Sequence, residues 1–154
     1  MKFTIEAGSC RTEKELVYRP EEFSFDTEPS ASDGFTSLLI NDVQLEVDSD
    51  GVVAAVWGLC PYLMWIDSVV TAPSNATSGT LRVSEPSELV PGVGIRLCKE
   101  RQAVFGDSTS GWIRIGQEAE EGALVEIFSG AVVQLTKGGE FGCIWLKPSN
   151  YPVA

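Results

Sequence analysis

Histidine is absent from the 154 residues of this chain. Its absence removes Ser-His-Asp and Cys-His nucleophile activation. It removes imidazole acid–base chemistry near neutral pH, and the histidine-based zinc, copper and non-haem iron sites as well. Catalysis on carboxylates, lysine or tyrosine stays open. Close cysteine pairs are also missing: Cys10, Cys60, Cys98 and Cys143 lie far apart. Structural zinc needs ligands two to four residues apart, so no metal site is expected, and buried free thiols in a reducing compartment are. No apolar run reaches the roughly 18–20 residues of a membrane helix. The most apolar stretch, Val52 to Val70, is broken by Gly58, Pro61 and Asp67. Met1-Lys2-Phe3-Thr4-Ile5-Glu6 has no apolar signal core, which leads to the expectation of a cytoplasmic protein. A sustained 3.6-residue apolar period, an internal repeat and a linker are likewise not found.

Negative charge is plentiful, with a formal net charge of −11. Residues 1–50 hold 12 acids and 4 bases, a net of −8, so most of the excess is N-terminal. Such a field repels nucleic-acid phosphates and anionic membranes, and it attracts a basic protein. Acidity that merely maintains solubility is the competing explanation.

The dominant period is two, the signal of strands. Phe3 and Ile5 alternate with polar neighbours, as do Phe23 and Phe25. Val43, Leu45 and Val47 alternate with Asp42, Gln44, Glu46 and Asp48, giving one apolar and one acidic face. Asp48-Ser49-Asp50-Gly51 supplies a turn, and Val52 to Trp57, apolar on both faces, reads as a central strand. The acidic strand is expected nearer an edge or on a solvated face. Residues 72–80 read as a loop before a short strand at Leu81 to Val83. Gln117 to Gly122 reads as an acidic connection with room for one helical turn, and Arg11 to Leu16 as a short helix or a strand. Ala123 to Phe128, Ala131 to Thr136 and Phe141 to Leu146 form a three-stranded meander around Ser129-Gly130 and Lys137-Gly138-Gly139-Glu140. Roughly eight to eleven short strands between Gly/Pro turns predict one all-β domain over residues 1–154, an antiparallel β-sandwich or barrel with little helix.

Two candidate binding surfaces follow. Asp42, Glu46, Asp48 and Asp50 form an acidic face. Tyr62, Met64 and Trp65, in Gly58-Leu59-Cys60-Pro61-Tyr62-Leu63-Met64-Trp65, form an aromatic patch of the kind that anchors interfaces. A core-filling corner is the competing expectation. Trp57, Trp65, Trp112 and Trp145 are either stacking platforms or core. Glu46 to Gly51 resembles the start of a calcium loop, but position twelve falls on Trp57 and no helices flank it. Gly92-Val93-Gly94 lacks the third glycine and the βαβ context of a dinucleotide site, so no cofactor is expected. The function expected is that of a non-enzymatic acidic binding protein with a basic protein partner, in the manner of an immunity-type inhibitor. The alternatives are a carbohydrate-binding or carboxylate-dependent carbohydrate-processing sandwich, and a structural subunit that self-associates.

Overall fold

Short alternating segments must pair into sheets that bury one side. The computed structural model describes residues 1–8, 14–29 and 34–152. The strands among them are β1 (Phe3–Ala7), β2 (Glu15–Arg19), β3 (Ser24–Glu28), β4 (Thr36–Ile40), β5 (Val43–Val47), β6 (Val53–Leu59) and β7 (Ile66–Asp67). They continue with β8 (Thr77–Val83), β9 (Ile95–Arg96), β10 (Val104–Gly106), β11 (Ile113–Ile115), β12 (Leu124–Phe128), β13 (Ala131–Leu135) and β14 (Phe141–Leu146). They form an eight-stranded sheet, β1-β8-β12-β13-β14-β11-β10-β7, and a six-stranded sheet, β2-β3-β6-β5-β4-β9. Three neighbouring pairs, β8–β12, β7–β10 and β4–β9, are parallel, so both sheets are mixed although antiparallel pairing dominates.

The sheets pack face to face as an all-β sandwich. Leu38, Leu45 and Val56 from one sheet share a buried cluster with Leu81, Ile113 and Ile144 from the other. A second, smaller cluster lies on the outside of the eight-stranded sheet. There Val70 packs with Val132, Cys143 and Trp145. The chain around Val70 crosses this face as a strap, which is why β13 is buried at every position. Asp107 fastens the strap by accepting the Val70 N–H at 3.0 Å, while the Ser110 hydroxyl donates to the Val70 carbonyl at 2.5 Å.

Irregular segments are held by side-chain amides that imitate a neighbouring strand. Asn41 donates to the Gln102 carbonyl at 2.9 Å and accepts its N–H at 2.8 Å. Gln134 does the same for Ala119, and Asn150 for Tyr18 on the edge strand β2. Each clip satisfies a donor and an acceptor that would otherwise be orphaned at a sheet margin.

Several expectations need correction. The acidic strand is β5; it lies between β4 and β6, not near an edge, and its Gln44 and Glu46 side is partly solvated, as the alternative expects. β4 takes the more outward place, burying Thr36, Leu38 and Ile40; its unbroken Leu38-Leu39-Ile40 run hides the alternation. The loop expected over 72–80 ends early, because β8 begins at Thr77, where Thr77 and Ser78 pair with Val125 and Glu126. Its polar, exposed first residues conceal the strand. On the other side of β8, Gly79 lets β1 come close, since a Cβ there would lie 2.4 Å from the Glu6 carbonyl oxygen. Phe23 does not share a strand face with Phe25. It sits in the β2–β3 turn at φ 55, at the surface, while Phe25 is buried. For Arg11 to Leu16 the strand alternative holds where it can be followed: Glu15 and Leu16 belong to β2, and residues 11–13 lie outside the described residues. Gln117 to Gly122 forms bends with no helical turn, held by the Gln134 clip.

Candidate binding face

Three central strands of the six-stranded sheet build a groove on its outer side. β6 points Val56 into the core and Trp57 and Leu59 outward, so an indole and an isobutyl group form the floor. Trp57 is 40% exposed and Leu59 54%. The expectation that this strand is buried on both faces therefore holds only as far as Val56. Gly58, at φ 117, lets β5 come close: a Cβ there would lie 2.4 Å from the Asp42 carbonyl oxygen. Glu22, Ser24 and Asp26 line the wall from β3 and the turn before it. Asp42 and Gln44 line the opposite wall from β5 and the turn before it. The groove has a volume of about 530 Å³, and the lining holds three carboxylates and neither lysine nor arginine.

Two arginines hold the outer flanks. Arg19 lies 3.4 Å from Asp26 and also bonds Glu28. Arg101 lies 3.5 Å from Asp42, brought there by the Asn41 clip on Gln102. These pairs are open to water, and exposed ion pairs contribute only about 0–1 kcal/mol.

Beyond Leu59 the chain leaves the sheet and carries an apolar arc. Its underside is fixed. The Tyr18 hydroxyl, buried, donates to the Cys60 carbonyl at 2.7 Å and accepts the Tyr62 N–H at 3.0 Å. Burial pushes that hydroxyl up to about 12. Trp65 donates its indole N–H to the Cys60 sulfur at 3.3 Å and packs against the rings of Tyr18, Phe25, Tyr62 and Tyr151. The single 3-10 turn Tyr62–Met64 is thereby pinned with Leu63 and Met64 outward, 67% and 74% exposed. Ile66 and Val69 are exposed after it, and Phe23 stacks on Tyr62 with 6.0 Å between ring centres. Among the described residues, every exposed large apolar side chain except Val90 and Val93 belongs to this arc or to the groove floor.

The residues singled out from the sequence divide accordingly. Asp42 lines the groove. Glu46 faces outward on β5, and its carboxylate lies across Gly34, where partial burial raises its pKa. Asp48 is occupied with the hairpin, accepting the N–H groups of Asp50 and Val52. Asp50 is exposed at the hairpin tip. Asp42 and Asp48 flank the two ends of β5, roughly 20 Å apart at strand rise, so the four acids are not one cluster. Of the aromatic patch, Met64 is exposed, while Tyr62 and Trp65 are half-buried supports. Glu22, Asp26 and Leu59 were not foreseen. The available signal was parity, since Trp57 and Leu59 fall on the outward register of a strand whose other residues are small.

The remaining tryptophans do not extend the groove. Trp145 is buried under the strap, and Trp112 carries the Lys147 ammonium 5.7 Å from its ring centre, beside a second groove of about 450 Å³ that also takes in Lys14. Cys60 and Cys143 are buried free thiols pushed up to about 11 and about 12 by desolvation, which makes them poor nucleophiles. Among the described residues no group of three or more Cys, Asp or Glu is arranged to hold a metal ion, and no helix is long and apolar enough to cross a membrane. No protein-family profile matches the chain, and no curated protein matches it either.

Proposed function

We propose that this chain is a non-enzymatic recognition domain that engages a basic protein through the Trp57 groove and the apolar arc from Leu59 to Val69. The observation that carries the reading is the continuity of two features along the chain. The groove floored by Trp57 and Leu59 has Glu22, Asp26 and Asp42 and neither lysine nor arginine in its lining, and the chain leaving Leu59 carries the exposed Leu63, Met64, Ile66 and Val69. Apolar patches of this kind mark association sites, and complementary charge sets partner choice and encounter rate. A second copy is a poor occupant, because each copy carries a net charge of −11. The three described cysteines are free, which suits a reducing, cytoplasmic setting. An immunity-type inhibitor covering a basic enzyme or toxin has these properties.

A second reading has one observation in its favour. Trp57 lies in an open groove with Gln44, Ser24 and three acids, an arrangement that also suits a sugar ring. A single exposed tryptophan and acceptor-dominated walls weigh against it.

The test is retention of partners from the source lysate by native protein and by a Trp57→Ala/Leu63→Ser/Met64→Ser variant, over a salt gradient. The reading expects a basic protein to be held by the native chain and lost by the variant. Equal recovery at equal salt resistance contradicts it.

A further inference from the structure

We infer that the Trp57 groove is a reader of one arginine side chain, which the partner inserts as its anchor; this rests on the basic-partner reading above. The walls are built for donors. Three carboxylates supply acceptors, and among the lining side chains only Ser24, Gln44 and the Trp57 indole N–H can donate. A guanidinium is the matching group, with five N–H donors and no acceptor. The floor agrees: Trp57, 40% exposed, lines the groove between the walls, and guanidinium groups stack on indole rings.

Spacing separates arginine from lysine. β3 and β5 flank β6, so the two walls stand two strand spacings apart, about 10 Å. By register Asp26 stands beside Trp57 on β3, Gln44 is opposite it on β5, and Asp42 is one step along beside Leu59. A guanidinium lying on Trp57 can donate to Asp26 at one edge and toward the Gln44 side-chain carbonyl and Asp42 at the other, through bonds of about 2.9 Å. A compact ammonium reaches one wall and leaves the other unpaired.

The chain's own chemistry supports the choice. The carboxylates already attract guanidinium groups in the free protein: Asp26 accepts from Arg19, and Asp42 is ion-paired with Arg101. Both pairs are long and solvent-exposed, so an incoming arginine displaces or joins them at little cost. Elsewhere the chain places Arg114 over the Phe105 ring at 4.7 Å.

The experiment is a titration of the ¹⁵N-labelled full chain, following the Trp57 indole N–H and the Gln44 and Leu59 amides. The probes are acetyl-Ala-Leu-Arg-Leu-Ala-amide, its lysine and citrulline counterparts, and cellohexaose. The expected result is a saturable shift of these three signals with the arginine peptide, about fivefold or more tighter than with lysine, and none with citrulline. The Asp26→Asn/Asp42→Asn variant should lose the shift while keeping the native melting temperature. Equal or tighter binding of the lysine peptide overturns the arginine assignment and leaves the basic-partner reading standing. No shift with either cationic peptide overturns the assignment and removes the groove from that reading. Equal binding of citrulline, or a shift with cellohexaose alone, overturns it in favour of a neutral ligand.

Discussion

Replacing Tyr18 by Phe isolates the tether that holds the apolar arc in place. The ring contacts survive, with Phe25 at 5.0 Å and Trp65 at 5.2 Å between centres, so no cavity forms. What disappears is one hydroxyl that donates to the Cys60 carbonyl and accepts the Tyr62 N–H. A buried group left without a partner costs about 1–3 kcal/mol. The Cys60 carbonyl bears that cost most fully, while the Tyr62 N–H, on a half-buried residue, recovers part of it from water. The sum is about 2 kcal/mol, a factor of roughly 30 in the folding equilibrium, or about 4–8 °C in melting temperature for a chain of this size. Urea unfolding followed by tryptophan fluorescence reads the change as a lower midpoint with an unchanged slope. Partner binding should weaken too, since Leu63 and Met64 ride on the released turn. A loss under about 0.5 kcal/mol, the range of an ordinary surface change, refutes the idea that this hydroxyl pins the arc.

The same hydroxyl gives a pH signature. Its folded pKa is raised from 10.0 to about 12, so its stabilisation is complete below 10.0 and is lost as pH rises toward 12; thermal melts of native protein should fall through that window more steeply than those of Tyr18→Phe. Asp107 behaves in the opposite sense. Its N–H donors, Val70 foremost, hold the carboxyl below 3.8, so its contribution is present above that value and lost as pH falls through the lower folded one. Asp107→Asn should flatten the acid limb of the stability curve and speed amide exchange at Val70. Gly58→Ala should cost about 2–4 kcal/mol, from a side chain forced to φ 117 and a Cβ 2.4 Å from the Asp42 carbonyl oxygen; a midpoint within experimental error of native would contradict that geometry. Asn150→Ala should cost about 1–3 kcal/mol by stripping the 3.0 Å and 2.6 Å bonds from Tyr18, with faster hydrogen exchange of the Tyr18 amide as the readout.

Alternation made much of this sandwich legible in advance. The β5–β6 hairpin and its Asp48–Gly51 turn, and the meander of β12, β13 and β14, follow directly from period-two patterning and turn chemistry. Two kinds of strand escaped it. β4 carries an apolar outward residue, Leu39, which erases the period, and β8 begins with polar residues because its first turns face solvent. The site was legible only in outline. Charge counting located the acids in the first third of the chain. It could not tell that Asp48 is consumed by its own turn, or that Asp42 shares a groove with Asp26 and Trp57. That sharing depends on which strands lie beside β6, and strand order is set by long-range pairing that no local pattern encodes. Local density of unusual residues did mark the 58–65 segment. The division within it, with Trp65 and Tyr62 as supports and Leu63 and Met64 as surface, depends on a hydroxyl contributed by β2, some 44 residues away.

The central claim is that the acidic groove and the apolar arc that continues from it bind a basic protein. The most direct measurement is quantitative mass spectrometry of lysate proteins retained by the native chain, by the Trp57→Ala/Leu63→Ser/Met64→Ser variant, and by a Glu46→Lys/Asp50→Lys variant altered away from the groove. The account predicts a strongly basic protein retained by the native chain and the second variant, and lost by the first. Retention by all three, loss only with the Glu46/Asp50 changes, or a retained partner that is acidic would contradict it.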